Sequence, residues 1–406
     1  MTVIRTAFLA LTQSFENVSV FHLRPPASSR SDLDYAASFH HLPAETPARV
    51  MHTVRAGAFG HHALNEIAGM DPSQVRSMMN TLTRSTSAPS LVVLDGVRVA
   101  GALSPLAQFP TLVDLDDVLS ARYRAWSKLA FDEMPFDLVG TNPGSWTNNL
   151  AKRLRVLVPL VLRAEARAVA SMERDVAAAA TTVSLVSASE ARAFEKTHGR
   201  PVDVLPMAYP TDIGQSWSWN ADPVFDAVFL GRATHLSNLA ALNWLGRQVV
   251  PALRHRLGRA PRVGVVGEAS PSVTEWIESL GLEPLGFVDD LGAVLASTAT
   301  GVAPQVVGGG MNTKLLDYAA RGVPVVGTPH AFSGVLHRDE CDWNETGDPA
   351  EFAELVVRVR SDRGFAEASA AGCRRHAEAY YRPEAIRARW IASFARTIDT
   401  TRELHG

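Results

Sequence analysis

Residues 308–326 read GGGMNTKLLDYAARGVPVV and combine a glycine run, a lysine and a carboxylate. The apolar run at residues 300–307 suits a buried strand, and the glycines after it allow a sharp turn that brings backbone N–H groups close to a ligand. Asn312 or Thr313 is placed to cap the next helix, whose N-terminal N–H groups and dipole favour a phosphate. Spacing alone does not separate a phosphate site from an ordinary glycine loop.

The helix predicted after the glycines carries two charged side chains on one face. Lys314 and Asp317 lie three residues apart, so both can face a ligand, or they can form a surface pair. Asp317 has a second alternative, an ion pair with Arg321 one turn later. Gly322 predicts the end of the helix, and residues 323–326 predict the next parallel strand.

Composition indicates a large protein with full hydrophobic cores. The chain has 406 residues, 46% of them hydrophobic. At about 150 residues per domain this length suggests two or three domains, and two fit best. With 39 basic and 42 acidic residues the formal net charge is -3, which disfavours nucleic acid as a partner.

The two cysteines and the apolar runs bear on the cellular compartment. Cys341 and Cys373 are too few and too isolated for a disulfide framework or a zinc site, so we expect reduced thiols and no metal cluster. No run approaches the roughly 18 apolar residues that span a bilayer. We therefore expect a cytosolic protein.

Alternating strand and helix patterns predict two doubly wound α/β domains joined by a linker at residues 206–223. The first half is predicted to contain strands at residues 18–23, 91–94, 111–115, 137–141 and 182–186, with helical segments at 6–11 and 150–179. A helix at residues 383–402 has Ile386, Trp390, Ile391 and Phe394 at helical spacing, which indicates a buried face.

Four sequence blocks carry a resemblance to a known family. The glycine stretch resembles the donor-binding motif of retaining GT-B glycosyltransferases of family four. In the same order as in that family, it is preceded by residues 227–245, by VGVVG at 263–267 and by LGFVDD at 285–290. The blocks span about a third of the chain, and motifs in a fixed order are more specific than one glycine loop. The glycine run without an acidic residue is similar to a subgroup associated with exopolysaccharide sugar transfer.

The resemblance implies the fold and the reaction. The expected fold is α/β of the GT-B type, with two Rossmann-like domains facing a cleft. Residues 1–207 would bind the acceptor, residues 208–382 the donor, and the helix at 383–406 would cross back to the first domain. The reaction would move a sugar from a UDP- or GDP-sugar with retention, without metal or other cofactor. The acceptor would be a glycan, a lipid-linked sugar or a small molecule.

The resemblance also indicates the donor-side residues. Arg232 and Lys314 would stabilise the negative charge that grows on the leaving diphosphate, Arg232 with a planar fork and Lys314 with a compact charge. Asp317 would accept hydrogen bonds from the ribose hydroxyls. Phe287 would border the nucleobase, with a place in the core as its alternative. The other donor-side candidates are Gly231, Glu268, Val288, Gly309, Gly310, Met311, Asn312 and Thr313.

Three positions depart from the family pattern. Gly309 stands where many members carry a glutamate, so a sugar contact there must come from backbone or from another side chain. Asp317 replaces the usual glutamate and has one methylene less of reach. Asn312 stands where the subgroup commonly has arginine, which removes one phosphate partner.

Acceptor-side candidates are fewer. His61 and His62 follow glycines in a predicted loop, where an imidazole can contact the acceptor, although a solvated pair is the favoured interpretation. Asp114 follows a predicted strand and is suited to accept from an acceptor hydroxyl, to act as a general base or to cap a helix. The arginines of the helix at 150–179 favour a solvated face, with peripheral contact to the inner membrane surface as the alternative.

Two other functions fit the same features. A nucleotide-sugar epimerase of GT-B fold would bind the same donor, and so would a non-catalytic partner protein that binds nucleotide sugars.

Overall fold

The computed structural model describes residues 3–22, 37–41, 72–84, 88–97, 103–106, 108–131, 133–135, 157–211 and 214–405. The chain divides into two compact units. The first unit comprises Met1–Tyr123, Leu162–Ala208 and Pro383–Gly406, and the second comprises Arg124–Val161 and Tyr209–Arg382. The sequence does not anticipate the inclusion of Arg124–Val161 in the second unit.

Strands and helices alternate along most of the described chain. The strands are β1 Val18–His22, β2 Ala37–His41, β3 Val92–Asp95, β4 Thr111–Asp114, β5 Thr182–Leu185, β6 Asp203–Val204, β7 Ala227–Leu230, β8 Val263–Val266, β9 Glu283–Gly286, β10 Gly301–Ala303, β11 Val325–Gly327 and β12 Asn344–Glu345. The helices are α1 Val3–Ser14, α2 Pro72–Arg84, α3 Leu103–Leu106, α4 Leu119–Trp126, α5 Val158–Ala179, α6 Ala188–His198, α7 Leu236–Trp244, α8 Val250–Leu257, α9 Pro271–Ser279, α10 Leu291–Ala296, α11 Lys314–Arg321, α12 Pro329–Phe332, α13 Pro349–Ser361, α14 Arg363–Tyr380 and α15 Pro383–His405. A π-helical turn, Leu245–Val249, joins α7 to α8.

The first unit contains a four-stranded parallel sheet in the order β3-β4-β5-β6 and a separate parallel pair, β1-β2. The C-terminal helix α15 packs in this unit, where the ring of its Phe394 lies 6.4 Å from that of Phe15. Ile386, Trp390 and Phe394 are buried as predicted, but Ile391 is 38% exposed. The prediction of a buried Ile391 is wrong because that residue lies beside the apolar stripe rather than on it.

The second unit contains a six-stranded parallel sheet in the order β12-β11-β10-β7-β8-β9. The chain runs outward from β7 to β9 and then returns to β10, which pairs with the other edge of β7. This is the strand order of a dinucleotide-binding fold, in which ligands bind beyond the carboxyl ends of the strands at the point where the order reverses. The reversal here lies between β7 and β10.

Most predicted elements are confirmed within the described residues. The strands expected at 18–23, 91–94, 111–115 and 182–186 correspond to β1, β3, β4 and β5. The strand expected at 137–141 lies outside the described residues, as does the first part of the helix expected at 150–179. The strand expected at 300–307 is shorter, because Pro304 follows β10 and cannot donate to a ladder. Parallel sheets alternating with helices in two Rossmann-like units confirm the predicted α/β fold class.

A buried carboxylate anchors the start of β7. Asp226 is 1% exposed, and its oxygens accept from both terminal nitrogens of Arg259 at 2.6 and 2.9 Å. Arg360 Nε and the Arg262 backbone N–H donate to it at 2.8 Å each. Burial alone would raise the pKa of Asp226, but these hydrogen bonds and the charges of Arg259 and Arg360 bring it below its ordinary value.

We predict that Asp226→Asn lowers the free energy of unfolding by about 2 to 3 kcal/mol at pH 7. This is less than the cost of breaking a fully buried pair, because Arg259 is 44% exposed. Because the folded-state pKa is depressed, the contribution is present at neutral pH and is lost as the pH falls below about 4. Urea unfolding at pH 7 and at pH 3.5 checks this, since the difference between the variant and the wild type should shrink at the lower pH.

The matched control is Glu283→Gln, which removes a surface partner of Arg262. Glu283 is 39% exposed, so we expect a change below about 1 kcal/mol. Equal effects of the two substitutions would contradict the anchoring role of Asp226.

Candidate functional site

The site is built on two strand ends that approach closely. Gly231 and Gly267 directly follow β7 and β8, and both have extended backbone with positive φ, at 149° and 145°. A Cβ on Gly267 would lie 2.4 Å from the carbonyl oxygen of Gly231, and a Cβ on Gly231 would lie 2.7 Å from Asn238 Nδ2. Only glycine permits these approaches, so the two turns pack backbone against backbone at the carboxyl edge of the sheet.

Lys314 is the first residue of α11, and its side chain turns toward β7. The residue is 7% exposed. Its Nζ donates to Asn238 Oδ1 at 3.2 Å and lies 4.0 Å from the centroid of the Phe229 ring. Within the described residues no carboxylate pairs with this ammonium. Burial alone lowers the pKa of Lys314 to about 7.

This environment makes Lys314 responsive to an anion. A buried ammonium without a counter-ion has lost most of its hydration free energy. The Phe229 ring and one amide oxygen replace only part of that loss. An anion that binds beside it would favour the charged form and raise the pKa. The strand reversal between β7 and β10 is where a Rossmann-like sheet accepts such a ligand.

The glycine run follows β10 at the same edge. A Cβ on Gly308 would lie 3.3 Å from Ser237 Oγ and 3.8 Å from His330 Nε2, so the run passes beside α7 and α12. Gly310 has φ 72°, in the left-handed region that glycine favours. Gly309 lies between these two glycines and has no side chain that could contact a sugar. The run therefore brings backbone close to two polar side chains that the sequence does not single out.

The start of α11 lacks the side-chain capping hydrogen bond that the sequence predicts. Thr313 is the N-cap residue, but its side chain makes no capping hydrogen bond. The side chain of Asn312 instead donates to Gln305 Oε1 at 2.9 Å, and Met311 is buried. The first turn of α11 thus has no side-chain cap. The end of the helix is as predicted, with Gly322 as a left-handed C-cap.

Arg232 and Glu268 are exposed at the ends of β7 and β8. In the described part of the chain, neither side chain has a hydrogen bond or an ion pair. Their backbone carbonyls accept from Asn238 Nδ2 and from the Ala233 N–H, each at 2.9 Å. The two turns are therefore fixed through their backbones, and the charged side chains remain available to a ligand.

Asp317 forms the ion pair that is the structural alternative to ligand binding. Arg321 Nη1 lies 3.2 Å from its carboxylate, and the Asp317 side chain is 36% exposed. Burial raises the pKa of Asp317, and the charge and hydrogen bond of Arg321 oppose that shift. The carboxylate is thus already engaged one turn along its own helix.

Phe287 lies on the surface, at the carboxyl end of β9. Phe287 is 76% exposed and follows Gly286, which has φ 66°. Val288 is half-buried. The core alternative for Phe287 is therefore excluded. The ring therefore faces solvent at the carboxyl edge of the sheet.

Tyr318 is the main structural residue that sequence reasoning missed. Its hydroxyl accepts from the Leu230 N–H at 3.0 Å and lies 2.9 Å from the carbonyl oxygen of Val228. Its ring fills the space above Gly301, where a Cβ would come within 2.6 Å of the ring. Tyr318 thus fixes α11 to the junction of β7 and β10. The available signal was a tyrosine on the apolar face of the predicted helix, since a buried hydroxyl needs partners.

Ser237 and Asn238 lie within the block at residues 227–245, and His330 lies outside all four blocks, so the sequence indicates no separate role for any of them. Asn238 lies between the segments of Lys314 and Arg232. Its partners are 76 and 6 residues away, so no local pattern indicates them.

In the first unit, Asp114 ends β4 and is 4% exposed. Ser184 Oγ donates to its carboxylate at 2.9 Å. Burial, together with the charges of Asp95 and Asp116, raises the pKa of Asp114 to about 7, although the hydrogen bond from Ser184 opposes this shift. Asp116 has φ 63°, which is uncommon for a residue with a side chain. His61 and His62 lie outside the described residues.

The described residues contain neither a metal-binding cluster nor a membrane-spanning helix. No group of three or more His, Cys, Asp or Glu side chains there could hold a metal ion. No helix in that part of the chain is long and apolar enough to cross a membrane.

Comparison with known proteins adds a family match and a fold match. Residues 225–362 match the model of the family Glycosyl transferases group 1. A search of curated protein sequences finds no significant match.

Solved structures with the same architecture include Anabaena Alr3699/HepE. In its complex with UDP and glucose the TM-score is 0.59, at 14% identity over 97% of this chain and 95% of that one. In its complex with UDP-glucose the TM-score is 0.53, also at 14% identity, over 93% of this chain and 98% of that one. At these identities the similarity is one of fold. The chain thus has the GT-B architecture, and its group 1 glycosyltransferase match falls within the second unit.

Proposed function

We propose that the protein is a glycosyltransferase that moves a sugar from a nucleoside diphosphate sugar to an acceptor. The observation that carries this proposal is Lys314, a buried ammonium without a described counter-ion at the strand reversal of the second unit. The group 1 glycosyltransferase match includes this residue, and the fold neighbour HepE was solved with UDP and with UDP-glucose. These three observations support a nucleotide-sugar donor, with UDP-sugar as the first choice and GDP-sugar as the second.

In the proposed reaction, negative charge grows on the diphosphate as the bond from the anomeric carbon to the phosphate oxygen breaks. Groups that are oriented beforehand stabilise this charge more than they stabilise the bound substrate. Lys314 would contribute a compact charge from a dry environment. Arg232, exposed and without a described side-chain partner, would contribute a planar fork to the phosphates. We propose retention at the anomeric carbon and catalysis by these cations without a metal ion.

Other donor contacts would come from the same edge of the sheet. The turn at Gly309–Gly310 would bring backbone N–H groups to the phosphates. Gly231, whose own N–H donates to the Val266 carbonyl at 2.9 Å, would place Arg232 beside them. Asp317 would accept from the ribose only by sharing its carboxylate with Arg321. Glu268 and Val288 would flank the nucleoside.

On the acceptor side we propose Asp114 as the candidate general base. Its pKa of about 7 suits proton transfer at neutral pH. Its hydrogen bond to Ser184 also gives it a structural role at the end of β4. His61 and His62 stay acceptor-side candidates from the sequence. The proposed acceptor is a hydroxyl group on a glycan, a lipid-linked sugar or a small molecule.

The test of the proposed function is a donor panel. The wild type is incubated with UDP- and GDP-sugars, with and without a cell extract that contains acceptors, and the released nucleoside diphosphate is measured. Acceptor-dependent release supports transfer. Conversion of the sugar with the diphosphate still attached would indicate an epimerase, and binding without turnover would indicate a non-catalytic partner. The Gly309 position and the Asp317–Arg321 pair are the features that favour this last outcome.

Lys314→Met should abolish turnover and weaken UDP binding at pH 7 by about 10- to 100-fold, the range expected for a charged hydrogen bond. Because burial lowers the pKa of Lys314 to about 7, the free protein loses this charge as the pH rises. UDP affinity of the wild type should therefore fall between pH 7 and pH 9, above the second phosphate ionisation near pH 6. The variant should lack this decline. Isothermal titration calorimetry across the range measures both effects, and an unchanged affinity would remove Lys314 from the site.

Phe287→Ala should weaken nucleotide binding by about 5- to 100-fold, as expected for loss of one aromatic ring stacked on a base. Thermal stability should change little, because the ring is 76% exposed. Ile391→Ala on α15 is the control, since it truncates another exposed apolar side chain, 38% exposed. If both variants bind UDP like the wild type, Phe287 does not contact the base.

A further inference from the structure

Asn238 connects the two segments that carry the cations. It lies in the first turn of α7 and is half-buried. Its Oδ1 accepts from Lys314 Nζ at 3.2 Å, and its Nδ2 donates to the carbonyl oxygen of Arg232 at 2.9 Å. One amide therefore reaches the start of α11 and the turn after β7.

The turn after β7 is shaped around this amide. A Cβ on Gly231 would lie 2.7 Å from Asn238 Nδ2, a distance that real Cβ atoms essentially never show. The carbonyl of Gly231 is in turn packed against Gly267. The Asn238 amide therefore occupies the space that a side chain at residue 231 would need.

The chemistry of the amide suits a lysine that must serve a ligand. A neutral oxygen orients the ammonium by a hydrogen bond and leaves its charge uncompensated. A carboxylate in the same place would form an ion pair and would repel a phosphate. The other described group against Nζ is the ring of Phe229, and no carboxylate of the described residues pairs with the ammonium.

We propose that Asn238 is a positioning residue, which holds the Lys314 ammonium and the Arg232 turn in register for the diphosphate of the donor. This inference rests on the proposed function. It adds the residue that orients the cations and the reason why that residue is an amide.

Asn238→Asp is the sharpest test, because it keeps the shape of the side chain, adds one charge beside Lys314 and replaces the donor to the Arg232 carbonyl with an acceptor. We expect UDP affinity at pH 7 to fall by about tenfold or more, since the carboxylate competes with the phosphate for the ammonium. The decline of UDP affinity with rising pH should move upward by at least about one pH unit, because an adjacent carboxylate favours charged lysine. A residue with a merely structural role would not move this pH profile.

Asn238→Ala removes both hydrogen bonds without adding a charge. We expect kcat to fall by about tenfold or more, with a smaller change in KM, because misplaced cations lose more in the transition state than in the bound state. Circular dichroism and thermal unfolding check that each variant is folded. If Asn238→Ala fails to fold, the near-isosteric Asn238→Asp decides the test.

The control is Asn243→Asp, which places the same charge on the same helix. Asn243 Nδ2 donates to Glu133 at 2.9 Å and does not contact Lys314 or Arg232. We expect its UDP affinity and its pH profile to match those of the wild type.

The outcomes separate this inference from the proposed function. If Lys314→Met loses UDP binding while both Asn238 variants behave like the wild type, the positioning role of Asn238 is overturned and the donor site stands. If the wild type binds neither UDP nor a nucleotide sugar, the proposed function fails and the inference fails with it.

Discussion

The site depends on an ammonium group that is buried at the end of a strand without a described counter-ion. Burying a charge is costly unless it is paired, and the protein meets this cost at Lys314 with an aromatic face, one amide oxygen and a lowered pKa. A carboxylate beside Lys314 would have stabilised the free protein more, but it would have formed an ion pair with the ammonium. The charge of Lys314 is therefore not compensated by any carboxylate in the described part of the chain.

The sheet of the second unit explains why distant residues meet around this group. The strand order places β10 against β7, so the loop after β7 and the glycine run after β10 leave the sheet side by side. Tyr318 fixes α11, the helix after β10, by placing its hydroxyl among backbone groups of the two strands. The position of Lys314 is thus a consequence of sheet topology and of one buried tyrosine.

In each unit, burial shifts the pKa of one ionisable side chain to about 7 near the carboxyl edge of a parallel sheet. Asp114 is the last residue of β4 and Lys314 follows the loop after β10, and the pKa of each is shifted to about 7 in opposite directions. Groups with a pKa near 7 can bind or release a proton at physiological pH. Desolvation is the main cause in both, although Asp114 also feels neighbouring carboxylates and a serine.

The sequence by itself determined the α/β class, the main strands, the glycine C-cap at Gly322 and the placement of Lys314 at a helix start. Periodicity and end signals are local, so they can be read along the chain. Only the tertiary structure decided that Lys314 meets Asn238, that Asp317 pairs with Arg321, that Phe287 is exposed and that Ile391 is not buried. Asn238 and Lys314 are 76 residues apart, and only the order of the strands brings their loops to one edge. Among local alternatives, such as the partners of Asp317, packing makes the choice because each is compatible with the same helix.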